Sequence, residues 1–392
     1  MTGPGMTIGA RKRPRWIAPI SFALAGTLAA ACGTGAAQGP GGTTTSTGSV
    51  ITATAAATAF SISPSAASKA LVIGGIGGGR ANAYLVDTAV PKIMGTIGFG
   101  PADTNPAVTM SADAKEAWVC TRDPALGFQT VVYPLNLSNF SVANPIPLGA
   151  KTLNLGCAGI APPSPGHLLA EVGNSLIEVN TSNASHRIVA SLPGTGAGRM
   201  SFDAPAGTAY IPRQVGTRLE LLPFTTTGST LGAPITVGSL APAEVAGIAF
   251  AGAGLAWAMV TRSGSISGSW IVQVRTAAHT AGIPIALPAG LIPDGLTGAG
   301  DSLYLLASPG PLQGPAIYGI QPPGSTPKEL VALPRTWAAD IKIAAGRLVV
   351  TMGTSAASAA IGVLDPAAPS GFTSLSVPMA PQAGPGPIAV AE

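Results

Sequence analysis

The stretch Val108–Gly149, VTMSADAKEAWVCTRDPALGFQTVVYPLNLSNFSVANPIPLG, decides the reading of the fold. It predicts four short strands in series, Val108–Met110, Glu116–Cys120, Thr130–Leu135 and Pro145–Leu148. Polar or Gly/Pro-bearing turns divide them, as in strands joined by hairpins. The layout then recurs. A large residue in the second strand of each unit falls at Leu71, Trp118, Leu169, Tyr210, Trp257, Tyr304 and Val349, with intervals of 47, 51, 41, 47, 47 and 45 residues. The local contexts agree: KALVIG, EAWVCT, HLLAEV, TAYIPR, LAWAMV, SLYLLA and RLVVTM. Third and fourth strands follow each at similar distances, such as SLIEVN with RIVASL and AIYGI with ELVALP.

The first unit lacks an innermost strand, because only a Gly/Ala/Ser/Thr-rich segment precedes Lys69. The chain ends with a spare strand, Pro387–Ala391. Supplying that strand to the first unit closes a ring and pairs an exposed edge. Periods in this range belong to propellers and solenoids, and four strands per unit favour the propeller. The expectation is an all-β, seven-bladed β-propeller over residues 67–392, with four antiparallel strands per blade. On these repeats the chain resembles the seven-bladed propellers with loose YVTN-like or NHL-like repeats.

Composition fits that reading. The chain has 392 residues, 46% hydrophobic and only 9% charged, with 52 Gly and 37 Pro, against about 25% charged residues in an average protein. A sheet covered on both faces by neighbouring blades tolerates strands that are apolar on both sides, and Gly and Pro spread along the chain supply many turns. One segment has a rival reading. Val245–Thr261 carries no charge over 17 residues and has the look of a membrane span, at the bottom of the length range. Gly247, Gly252 and Gly254 disfavour a helix, so two buried strands joined by Ala251–Gly254 are expected.

The formal charge of +4 is local. Arg11, Lys12, Arg13 and Arg15 are four of the 20 Lys+Arg, and the remaining 16 balance 16 Asp+Glu. No nucleic-acid partner is implied. The four cations precede the apolar run Trp16–Thr27 and the small-residue stretch Leu28-Ala29-Ala30-Ala31-Cys32. This resembles a bacterial lipoprotein signal over residues 1–31, which implies lipidation of Cys32 and a place at the extracytoplasmic face of the cell membrane. The same order of regions also accommodates an ordinary secretory signal cut near Ala31. Residues 32–66 carry no charge and read as a flexible tether.

Propellers deliver loops from every blade to one face, and there Arg122, Arg213 and Arg262 follow second strands at nearly equivalent places. Arg80 lies in the Gly-rich loop GGIGGGRAN, and Arg199 opens the first strand of blade four. Together they predict a loose ring of guanidiniums fit for a carboxylate or phosphate. Asp103, Asp123, Glu244, Asp294 and Asp340 fall near the same face as competing partners. Cys120 and Cys157 map to that face on adjacent blades, where either a disulfide or two separate thiols fits the spacing.

The chemistry that is missing narrows the function. Gly74–Gly79 has no Walker lysine and no βαβ context. No Ser sits in a G-x-S-x-G context, and His167, His186 and His279 all map away from the loop face, which disfavours a His-based acid/base or metal site. Asn136, Asn139, Asn180 and Asn183 fit N-x-Ser/Thr but read as turn residues. No cofactor is implied. The expected function is a lipid-anchored, non-catalytic module binding a protein or small molecule through the loop face. The alternative is a metal-dependent lyase or hydrolase, since propeller lactonases and streptogramin lyases are similar in architecture and use ring-centred acidic residues or His with a divalent metal.

Overall fold

The computed structural model describes residues 68–391, apart from 77–79, 103–105, 150–155, 240–242, 253, 263–267, 311–312, 322–325, 335–336, 354–357 and 379–383. The leader, Cys32, the tether and Asp103 lie outside the described residues. Seven antiparallel sheets form a seven-bladed propeller. Their inner strands run through Gly384–Val390 (blade 1), Ala107–Met110 (blade 2), Cys157–Ser164 (blade 3), Ala243–Phe250 (blade 5), Ile292–Ala299 (blade 6) and Trp337–Ala344 (blade 7). Blade 4 supplies its inner strand in two pieces, Thr195–Gly196 and Ser201–Asp203. Val245–Thr261 falls within two strands, Ala243–Phe250 and Leu255–Arg262, paired through a tight turn.

The periodic large residue explains why the blades stack. Side chains alternate between the two faces of a strand, so each second strand feeds two interfaces. In Lys69–Ile76, Leu71 and Ile73 pack toward blade 2, while Ala70 and Val72 pack toward blade 7. Trp118, Leu169, Tyr210, Trp257, Tyr304 and Val349 each point, like Leu71, into the interface with the following blade. All seven are buried. The core is therefore seven slabs between blades, one per junction, and no blade holds a core alone.

Outer strands depart from the expected single runs in blades 2, 4 and 5. Each splits in two, as in Ser141–Val142 and Ile146–Pro147, Thr230–Leu231 and Ile235–Gly238, and Thr280–Ala281 and Ile285–Ala286. Pro145, Pro234 and Pro284 stand in the gaps, where a missing N–H interrupts the ladder at an outer edge that tolerates it. The preceding hairpins repeat one turn, with Phe140, Ala184, Ser229 and His279 at positive φ in equivalent places. In blades 2 and 3 the turn is tied by an Asn. Asn136 Oδ1 accepts from the Ser138 and Asn139 N–H at 3.0 and 3.2 Å, and Asn180 Oδ1 from the Ser182 and Asn183 N–H at 3.0 and 3.3 Å. These are the Asx turns expected of such residues.

The ring closes as the spare C-terminal strand requires. Gly384–Val390 pairs antiparallel with Lys69–Ile76, placing Leu71 opposite Ala389 and Val72 opposite Ile388. Blade 7 holds the strand from its other side. The Ile388 N–H donates to Asp340 Oδ2 at 2.9 Å, and Thr351 Oγ1 donates to the Gly386 carbonyl at 3.0 Å. Deleting residues 384–392 leaves Lys69–Ile76 an open edge and uncovers apolar surface on blades 1 and 7. The expected result is loss of a single cooperative thermal transition, followed by circular dichroism. An unchanged melting curve contradicts the closure.

Candidate functional site

Inner strands determine what faces the central channel. The register slips by one residue at equivalent points in four blades, which marks a β-bulge. In blade 6, Pro293 pairs Ala307 and Gly295 pairs Leu306, leaving Asp294 as the extra residue. Ala158, Ala246 and Ala339 hold the same position in blades 3, 5 and 7. A bulge re-aims its extra side chain, and all four residues line the cavity at the loop-face end of the channel. That cavity holds about 330 Å³ and carries Arg199, Glu244, Asp294, Asp340 and, deeper, Lys342.

Only part of the expected guanidinium ring assembles. Arg199 reaches the channel from the gap between the two inner pieces of blade 4, not from the opening of a strand, and its Nη1 lies 4.0 Å from Asp340 Oδ2. Arg80 is exposed on the loop face beside Gly98. Arg122 and Arg262 sit at the ends of the second strands Glu116–Asp123 and Leu255–Arg262, half-buried, with Arg122 stacked 5.9 Å from the Phe128 ring centroid. Asp123 caps the turn after its own strand and accepts from Tyr133 Oη. Among the described residues, the loop-face mouth of the channel thus gathers three carboxylates and one guanidinium, the opposite balance to an anion site. Among the described residues no three His, Cys, Asp or Glu converge to hold a metal ion.

Arg213 is a correction. Its second strand, Thr208–Val215, runs past the expected end, so Arg213 lies inside a strand with a fully buried side chain. Nε donates to the Pro193 carbonyl at 2.9 Å. Nη1 donates to Glu171 Oε1 and the Gly173 carbonyl, both at 3.1 Å, and Nη2 to Asn174 Oδ1 at 2.6 Å and the Gly194 carbonyl at 2.9 Å. Five donors meet five acceptors, the full capacity of a guanidinium, so no ligand reaches it. Its role is to lock blade 4 to blade 3. Burial raises the Glu171 carboxyl to about 7, with Arg213 pulling the other way.

Cys120 and Cys157 are joined by a disulfide, with Cα atoms 5.8 Å apart and a sequence separation of 37. It staples the second strand of blade 2 to the inner strand of blade 3. The histidines lie apart: His167 Nδ1 is 3.2 Å from Glu178 Oε1, His186 is on the exposed outer strand Ser185–Ser191, and His279 is in an outer turn.

Two outcomes test this arrangement. Arg213→Met leaves Glu171 buried without its partner and is expected to cost about 3–5 kcal/mol in urea unfolding. The double change Arg213→Met with Glu171→Leu should cost less than the sum of the single changes. The second concerns Asp294, whose side chain meets channel water but is walled by the inner strands. Desolvation pushes its carboxyl up to about 6 from 3.8. A carboxyl raised in the folded state stabilises below its unfolded value, and that contribution is lost as pH rises through the folded one. Asp294→Asn is expected to melt higher than wild type at pH 7.5, with the two converging near pH 4; a pH-independent difference contradicts the shift.

No family model matches the chain, and no curated protein matches it in sequence. Solved structures do match in shape. Dihydro-heme d1 dehydrogenase NirN is similar at 11% identity and a TM-score of 0.51, over 84% of this chain and 76% of that one. A chain of the nidogen–laminin complex is similar at 10% identity and a TM-score of 0.46, over 83% of this chain and 98% of that one. At such identities the likeness is one of fold, and the fold is that of a β-propeller.

Proposed function

We propose that this protein is a lipid-anchored binding module that docks a protein partner on the loop face of its propeller, outside the cytoplasmic membrane. The observation that carries the reading is the loop face across blades 7, 1 and 2. Trp337 opens the inner strand of blade 7 and is 38% exposed; Leu126 and Phe128, each 43% exposed, lie on the blade 2 loop, Phe128 under Arg122. Arg80 lies between them on blade 1. Trp, aromatic and Arg side chains presented together are the residue types that dominate protein interfaces. The disulfide supports an oxidising compartment, and the order of leader regions supports export with lipid on Cys32. Lys69 enters blade 1 at the opposite, hairpin end, so the loop face lies away from the point where the tether joins.

The test uses the full chain in its native membrane. Labelling with a clickable fatty acid is expected, and to vanish in Cys32→Ser. Chemical crosslinking is expected to capture a partner, and the combined change Arg80→Ala, Phe128→Ala and Trp337→Ala to lose it at least tenfold with an unchanged melting curve. A partner retained by that variant refutes the loop-face reading, and label surviving Cys32→Ser refutes the anchor.

A further inference from the structure

The hairpin end of the channel opens into a second, wider cavity of about 1160 Å³. Its lining is mixed, with an apolar part made by Pro162 and Pro163 from blade 3, Phe202 from blade 4 and Phe250 from blade 5. The two cavities meet at a waist lined by Val108, Ile160, Met200, Ile248 and Ile388, together with Ser201 and Lys342. Among the residues lining both cavities, Lys342 alone carries a charge. It is half-buried, and no hydrogen bond or ion pair joins it to another described residue. Asp340, two residues earlier, is engaged by Arg199 and the Ile388 N–H.

An ammonium set in an apolar waist loses hydration that an anion restores. We infer that the hairpin-end cavity binds a small amphipathic carboxylate, its apolar body between Phe202, Phe250 and the prolines and its carboxylate on Lys342 Nζ. Acidic groups of this mouth do not compete closely. Asp113 is paired with Lys115 at 3.3 Å and accepts from Ser111 Oγ at 2.7 Å, Asp203 accepts from its own turn at the Ala206 N–H, and Glu116 is exposed at the rim. The volume exceeds that of common small-molecule sites, which suits a chain-like body. This site is separate from the docking face proposed above, and either stands without the other.

Titration calorimetry of the folded chain with decanoate, decanol and decylamine tests it. Decanoate is expected to bind one to one, with decanol much weaker and decylamine not at all. Lys342→Met should weaken decanoate roughly ten- to hundredfold, as loss of a charge-assisted hydrogen bond does, and Lys342→Arg should retain it. Phe202→Ala should weaken it, whereas Glu244→Gln, at the other mouth, should not. No decanoate binding by the wild-type chain, equal binding of decanol, or an unaffected Lys342→Met overturns the inference. Loss in Glu244→Gln with Phe202→Ala unaffected places the anion at the wrong mouth and overturns it equally.

Discussion

Everything in this molecule depends on a side chain in each second strand packing against the next blade. A single four-stranded sheet of these sequences has two apolar faces and nothing to cover either. Leu71, Trp118, Leu169, Tyr210, Trp257, Tyr304 and Val349 cover their neighbours in turn, so each blade is stable only inside the ring. That mutual burial makes closure a condition of stability rather than an ornament. It also explains the low charge: with both faces of every blade dry, polar residues are left for edges, turns and the channel. Truncating a buried indole such as Trp257 removes contact with two blades at once and by this logic belongs among the costliest single changes, about 3–5 kcal/mol.

Where charge does enter the interior, geometry makes it tolerable. Arg213 is buried among four oxygen partners from the blade 3 side and linker besides Glu171, which satisfies every donor and offsets much of its desolvation. Asp340 is turned into a cap for the closing strand and a partner for Arg199. Asp294 and Lys342 are the exceptions among the described residues. A bulge delivers Asp294 to the channel without a partner, where the surrounding strand walls push its carboxyl above the usual range although the side chain still meets channel water.

The blade count, the strand order and the closing strand were legible because the wedge positions recur at near-constant spacing and the first unit visibly lacks an inner strand. The meeting of Cys120 and Cys157 was framed by the same map, although only geometry brings the sulfurs together. The guanidinium ring was not legible. Arg122 stands four residues after Trp118 and Arg213 three after Tyr210, in second strands of equal length, and a one-residue offset turns a strand side chain to the other face. Bulges are equally silent in sequence. Asp294, Ala246 and Ala339 share a position, but nothing in their identity marks one as the carboxylate of the channel. Lys342 belongs to no motif or repeat spacing that marks it in the sequence.

Closure also divides the molecule's two ends by task. Inner strands run from the loop face toward the hairpin end, and second strands return, so Lys69 begins and Val390 finishes at the hairpin end. The strand Lys69–Ile76 is thus paired on one side by Asn82–Asp87 and on the other by Gly384–Val390. A load applied at Lys69 meets the ladders of both partners, and Asp340 and Thr351 hold the closing strand to blade 7 against it. The disulfide sits elsewhere, between blades 2 and 3, and cannot reinforce that junction. Resistance to opening at Lys69 therefore rests on noncovalent pairing in blade 1, on the apolar slab between blades 7 and 1, and on side-chain hydrogen bonds from blade 7.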